Sequence, residues 1–240
     1  MRRFFAPIES FHDGHVKLSP EETRHLRAVL RLRVGDEVLV FDGTGREFQC
    51  TINEIAKQNS VVSVIEEIAP ASPESPFEIT LAATVLNGEK YDLVIQKAVE
   101  LGVTTFIPLH TVHCDVKPKD ATKRMIRWRR IALEATKQSG RAKIMQIGEP
   151  AAFTDLLEIE ESETLVLFSE REGNDDFLDI KPAKKITAIV GPKGGWDDSE
   201  LALARSKKIK IVTLGGRILR AETAAISITA ILQHKFGDLN

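Results

Sequence analysis

An α/β fold carrying a parallel sheet, preceded by a small domain built mostly of strands, is the architecture that this 240-residue sequence predicts. Three observations predict it. Runs rich in β-branched residues dominate as far as residue 68; a stretch with three prolines and two serines, "IAPASPESPF" (68–77), then interrupts the pattern; beyond it strand-like and helix-like runs alternate. Alternation of that kind is the signature of a parallel sheet with crossover helices, and the proline-rich stretch reads as a linker. The boundary is placed at Ser72, dividing the chain into domains 1–72 and 73–240.

In the first domain, "SPEETRHLRAVLRLRVGD" predicts a helix. Ser19 stands at the N-cap, Pro20 at the first helical position, Glu22 where it completes a capping box, and Gly35 just past the end. Leu26, Val29 and Leu30 share one face of that helix, and Arg24, Arg27 and Arg31 share another. The run "EVLVFDGTGREFQCTI" reads as a hairpin around a glycine-containing turn, and "SVVSVIEEI" as a further strand.

The second domain reads in order as a strand "FEITLAATVL", a helix "KYDLVIQKAVELG", a strand "VTTFIPLH" and a long basic helix "ATKRMIRWRRIALEATKQSG". Strands "TLVLFS" and "KITAIVGP", a helix from about Asp198, a strand "KIVTLG" and a last helix "AETAAISITAILQHKF" follow. That last helix is more apolar than one buried face requires, which implies either a dimer interface or burial on several sides. Trp128, in the basic helix, is expected in the core in preference to stacking on a base. Ligands of such sheets bind at the carboxyl ends of the strands, which directs attention to the loops after Leu167, Val190 and Leu214.

Hydrophobic residues make up 42% of the chain and charged residues 28%, values of a folded protein that exclude a disordered or fibrous one. No apolar run approaches the length that spans a bilayer, so a cytoplasmic location is expected. Cys50 and Cys114 lack metal-site spacing and read as free thiols, so neither a disulfide nor a metal is expected. The net charge of −2 conceals a polarised chain. Residues 117–143 carry ten Lys or Arg against two acids, a local +8, whereas residues 149–179 carry eleven acids against Arg171 alone.

Two stretches hold the chemistry. "IVGPKGGWDDSE" leaves a strand, passes three glycines and opens a helix capped by Asp197 or Asp198. It matches neither the phosphate-loop pattern nor the dinucleotide fingerprint, which disfavours a nucleotide-dependent transferase. "LGGRILRAETA", residues 214–224, places Arg217, Arg220, Glu222 and Thr223 between an apolar strand and an apolar helix. The apolar pair Ile218 and Leu219 inside that charged loop implies a loop folded inward.

Together, "GPKGGW" and "LGGRILRAETA" resemble the closing motifs of SPOUT RNA methyltransferases, specifically the family that methylates uridine N3 in small-subunit (16S) ribosomal RNA. "RRFF", "HLRAVLRLRVGD", "YDLVIQKAVELGV" and "RWRRIALEATKQSGR" are similar to that family's blocks in the family's order. The resemblance implies a PUA-like β-barrel RNA-binding domain ahead of a trefoil-knotted methyltransferase domain, a homodimer, and S-adenosylmethionine as cofactor. It maps the cofactor site to Leu167, Phe168, Ser169, Gly191, Pro192, Gly194, Gly195, Leu214, Gly215, Ile218, Leu219, Arg220 and Thr223. Arg220, Glu222 and Arg141 become the catalytic candidates: an arginine beside the uracil carbonyls stabilises the N3 anion, and Glu222 orients an arginine or accepts the proton. Arg2, Arg3, Arg24, Arg27, Arg31, Lys123, Arg124, Arg127 and Arg130 become the RNA-binding candidates. The chain departs from the family pattern at Lys193, where glutamate is usual, and at Asn87, where lysine is usual; an arginine expected after Leu109 is absent. A non-catalytic ribosome assembly factor of the same fold, or a methyltransferase with another RNA target, are the alternatives.

Overall fold

A computed structural model describes residues 2–158, 164–181 and 184–239 of the protein. Part of the acidic block, residues 159–163, lies outside the described residues. The chain divides into two compact units, the first formed by Met1–Glu74 with Thr136–Ile144, the second by Ser75–Ala135 with Met145–Asn240.

The first unit contains strands β1 (Arg2–Phe5), β2 (Phe11–His12), β3 (His15–Leu18), β4 (Glu37–Phe41), β5 (Glu47–Ile55) and β6 (Ser60–Ile68) in one sheet of order β1-β4-β5-β6-β3-β2. All pairings but β1 with β4 are antiparallel. The expected hairpin joins β4 to β5, and its turn is closed by Asp42, whose carboxylate accepts from the Thr44 amide at 2.8 Å. Two register shifts in β5, at Gln49/Cys50 and Ile52/Glu54, bend the sheet, and its inward residues close around one core that includes Phe4, Val16, Leu26, Val38, Val40 and Val62.

The expected long helix is short. Helix α1 (Pro20–Arg24) begins as foreseen, with the Ser19 hydroxyl accepting from the Glu22 amide at 3.2 Å. Glu22 does not complete a capping box; its carboxylate is buried and pairs with Lys137. The backbone then widens into a π turn over His25–Val29, and Arg31 takes a φ of 55°. The reason is tertiary: the following stretch bonds to β5, with Gly35 N–H donating to Ile52 O and Ile52 N–H to Asp36 O. The wider turn breaks the 3.6-residue period, so Val29, expected inside with Leu26, is 68% exposed.

The second unit holds β7 (Glu78–Thr84), α2 (Glu89–Glu100), β8 (Thr105–His110), α3 (Pro118–Ser139, its last turn lying in the first unit), β9 (Gln146–Ile147), β10 (Ala151–Ala152) and α4 (Phe153–Leu156). It continues with β11 (Thr164–Phe168), β12 (Lys185–Val190), α5 (Asp198–Ser206), β13 (Lys210–Val212) and α6 (Ala221–Phe236). The sheet runs β10-β8-β7-β12-β11-β13, with β9 also on β8, and every pairing is parallel, as the alternation predicts. Side chains of its strands alternate between two cores. Ile79, Leu81, Val166, Phe168, Ile186 and Ala188 join a core with residues of α2, α3 and α6, whereas Ala82, Leu167 and Ile189 join one with Phe153, Leu156, Leu201 and Ala204. Trp128 is buried as expected, its ring 4.9 Å from that of Tyr91. Among the described residues no helix is long and apolar enough to cross a membrane.

Candidate active site

The carboxyl ends of β11, β12 and β13 carry three loops that converge on one cavity of about 460 Å³, within the size range of small-molecule sites. The first loop contributes Phe168, Ser169 and Glu170, the second Val190 to Lys193 with Gly195 and Trp196, and the third Leu214 and residues 217–220. Lys90 from α2 and Ala221, Glu222, Ala224 and Ile228 from α6 complete the lining.

The second loop is shaped by its glycines. A Cβ on Gly191 would lie 2.7 Å from the Trp196 ring, and one on Gly195, at a φ of +80°, would lie 2.7 Å from Glu170 Oε1. Trp196 is itself fixed: its Nε1–H donates to Phe168 O at 2.9 Å and its ring packs 5.1 Å from that of Phe153. The glycine loop is therefore pinned to the end of β11, and its backbone borders the cavity. Asp197 then caps α5 through a full capping box with Glu200, so of the two caps anticipated from the sequence the first is used.

The third loop sits on the rim. Ile218 is 62% and Leu219 38% exposed, so the inward fold expected of them is only partial in the single chain: they line the cavity with one side and face solvent with the other. Arg220 occupies the N-cap of α6, and its side chain makes no capping bond. Glu222 forms an ion pair with Lys90 at 3.0 Å. Partial burial by itself would raise the Glu222 carboxyl; bonding to its own amide and the Lys90 ammonium, with Arg220 nearby, more than offset this and hold it below the usual carboxylate range.

An RNA methyltransferase domain model matches residues 73–233, and an RNA methyltransferase PUA domain model matches residues 18–65. The ribosomal RNA small subunit methyltransferase E of Rickettsia conorii is 36% identical over 233 residues, covering 94% of this chain and 88% of its own. That of Synechocystis sp. is 34% identical over 228 residues, covering 92% of this chain and 74% of its own. This chain belongs to the ribosomal RNA small subunit methyltransferase E family. The family likeness extends to three dimensions. The Neisseria gonorrhoeae methyltransferase E bound to S-adenosylmethionine superposes with a TM-score of 0.91 at 33% identity over 100% of both chains. A putative methyltransferase of Legionella pneumophila in complex with the same cofactor gives 0.89 at 31%, over 99% of this chain and 98% of that one.

Within this chain the expected site residues separate into groups. Phe168, Ser169, Gly191, Pro192, Gly195, Leu214, Ile218, Leu219, Arg220 and Glu222 meet at the cavity. Leu167 does not, because strand alternation turns it into the opposite core. Gly194, Gly215 and Thr223 are not among the lining residues either. Arg141 lies in the first unit, buried and bonded to the Glu74 carboxylate at 2.6 and 3.0 Å, and is not a lining residue. Lys90 and Ile228 were not foreseen: each comes from a helix whose sequence marks it as ordinary amphipathic or apolar structure.

The candidate RNA contacts also divide. Arg2, Arg24, Arg27 and Arg31 are exposed in the first unit. Arg3 is not available: its guanidinium is taken by Glu47 and by the carbonyls of Thr136, Lys137 and Arg141. In the second unit Lys123 and Arg130 are exposed; Arg127 pairs with Asp92 at 2.5 Å and Arg124 donates to Leu86 O, contacts at the surface that leave the cations at hand.

Proposed function

We propose that this chain transfers the methyl group of S-adenosylmethionine to N3 of a uridine in small-subunit ribosomal RNA, working as a knotted homodimer in the cytoplasm. The observation that carries the reading is the convergence of three strand-end loops on one cavity with Arg220 at its rim, in a family whose relatives are named for methylating small-subunit ribosomal RNA. The residues suit that cofactor. Phe168, Leu214 and Ile228 offer apolar surface to a purine, Ser169 and the glycine-loop backbone offer polar groups, and the absent side chains at Gly191 and Gly195 leave room. Bound there, S-adenosylmethionine supplies an electrophilic methyl group.

The protein's task is then largely alignment of an in-line displacement. Uridine N3 must give up a weakly acidic proton, which passes to solvent water before the transfer, and Arg220 at the cavity rim would lower the cost of the resulting anion by facing the ring carbonyls. Ile218, Leu219 and Leu214 keep water from the reacting groups, more completely when a second chain or the RNA covers the exposed side of the loop. Glu222 is assigned an orienting role toward Lys90 and Arg220, since a carboxylate held below its usual range is poorly matched to removing so weak an acid's proton.

Gly191→Ala is expected to weaken S-adenosylmethionine binding by about 5- to 150-fold, the equivalent of the roughly 1–3 kcal/mol that overpacking costs, because the added methyl displaces the Trp196 ring from its bond to Phe168 O. Calorimetric titration of the variant checks this. The reaction itself is tested by incubating the protein, tritiated S-adenosylmethionine and small ribosomal subunits from a strain lacking the protein, then digesting the RNA. Labelled 3-methyluridine is the expected product. Label in a different nucleoside would discard the uridine N3 assignment, and no label at all would favour the assembly-factor alternative.

A further inference from the structure

Lys193 borders two depressions of the second unit. It lines the cavity described above and, with Gly194, a more open depression of about 500 Å³ whose far wall is Val112, His113, Cys114 and Asp115 from the turn after β8. The two walls are held together. The His113 Nδ1 lies 3.0 Å from Gly195 O, which requires the proton on that nitrogen, and the Val112 amide donates to Glu200 Oε1 at 2.9 Å. Glu200 is buried and its other oxygen closes the capping box of α5, so the turn after β8 is anchored to the same helix start that fixes the glycine loop. Lys193 is exposed and makes no ion pair among the described residues.

We infer that this second depression receives the RNA backbone beside the target nucleotide, with Lys193 as the substrate-positioning cation between acceptor and methyl donor. The inference rests on the methyltransferase reading. An in-line transfer needs the acceptor to enter from a space that opens onto the donor cavity, and Lys193 is the residue common to both. The chemistry of the depression matches a phosphodiester on one side. Lys193 is a point charge suited to phosphate, and the exposed Lys117 and Lys119 follow on the same segment as the far wall. Asp115 disfavours phosphate on its own side, which confines the backbone to the Lys193 edge, while Val112, 61% exposed, offers apolar surface to a neighbouring base.

The test uses the full-length protein with Lys193→Ala and Lys193→Arg, whose exposed position keeps both variants folded, as matching melting curves will show. Two affinities are measured: for S-adenosylmethionine by calorimetry, and for small ribosomal subunits from a strain lacking the protein, across a salt series. Lys193→Ala is expected to weaken subunit binding about tenfold at ~0.1 M salt and to reduce the slope of log affinity on log salt by about 0.7, a larger loss than it causes in cofactor affinity, with Lys193→Arg restoring both subunit values. A loss of cofactor affinity in Lys193→Ala as large as the loss for subunits, or larger, would reassign the lysine to the methyl donor and overturn the inference. Unchanged subunit affinity and slope would overturn it as well. Because neither readout requires turnover, a parent protein that binds subunits but transfers no label overturns the methyltransferase reading separately.

Discussion

Arg220→Ala is expected to lower the single-turnover rate of methyl transfer by about 10²–10³-fold, the loss typical of removing one donor that stabilises developing negative charge. Its affinities for S-adenosylmethionine and for small subunits are expected to stay near those of the parent, because the interaction removed is made chiefly to the anion formed during reaction. The structural basis is the position of Arg220 at the N-cap of α6. Its carbonyl holds the first turn, accepting from the Ala224 amide at 2.8 Å, and the alanine variant keeps that bond. The side chain makes no cap of its own and borders the cavity beside Ile218 and Leu219, so truncation removes a charge from the site and little packing from the core. Rapid-quench measurement of labelled methyl transfer, with binding measured separately, decides the matter. A variant with full rate removes Arg220 from the chemistry; a variant with normal rate at saturation but weakened cofactor binding makes it a binding residue.

Glu47→Ala is expected to cost the first unit about 3–5 kcal/mol of unfolding free energy, the range for stranding one partner of a buried ion pair. Glu47 is fully buried and Arg3 has a side chain only 11% exposed, their Oε1 and Nε being 2.5 Å apart. The other Glu47 oxygen accepts from the Ala71 amide, and the Arg3 guanidinium lies 4.9 Å from the Phe41 ring centroid while donating to Lys137 O at 3.0 Å and Arg141 O at 2.9 Å. These bonds fasten three stretches of chain to the start of β5: the first strand, Ala71 in the linker region, and the returning segment 136–144. With Glu47 gone, a guanidinium remains in a poorly hydrated place with only carbonyl partners. Denaturant titration of the full chain, monitored by a probe in the first unit, measures the cost. A loss under about 1 kcal/mol would mean that water reaches Arg3 and that the network is peripheral. A companion Arg3→Ala variant is expected to lose stability without reducing the salt slope of RNA binding, which separates Arg3 from the exposed Arg24, Arg27 and Arg31.

The local grammar of the protein is written in the order of its residues. Alternating strand and helix patterns, proline and glycine punctuation and the Ser19 and Asp197 caps all depend on neighbours within a few residues, so the parallel sheet, the β4–β5 hairpin and the three strand-end loops were legible. Much of the cavity followed, because strand-end loops of a parallel sheet point the same way. Tertiary structure decided what depends on distant partners. Bonds to β5 end α1 early and widen its continuation into a π turn, overriding a periodic pattern that reads as one helix through Val34. The return of residues 136–144 to the first unit turns Arg3 and Arg141, charged residues that read as surface or catalytic, into buried structural cations paired with Glu47 and Glu74. Lys90 reaches the cavity only because α2 packs beside α6 and its ammonium meets Glu222. In each case the deciding contact joins residues tens of positions apart, and a pattern read over one or two helical turns carries no information about such pairs.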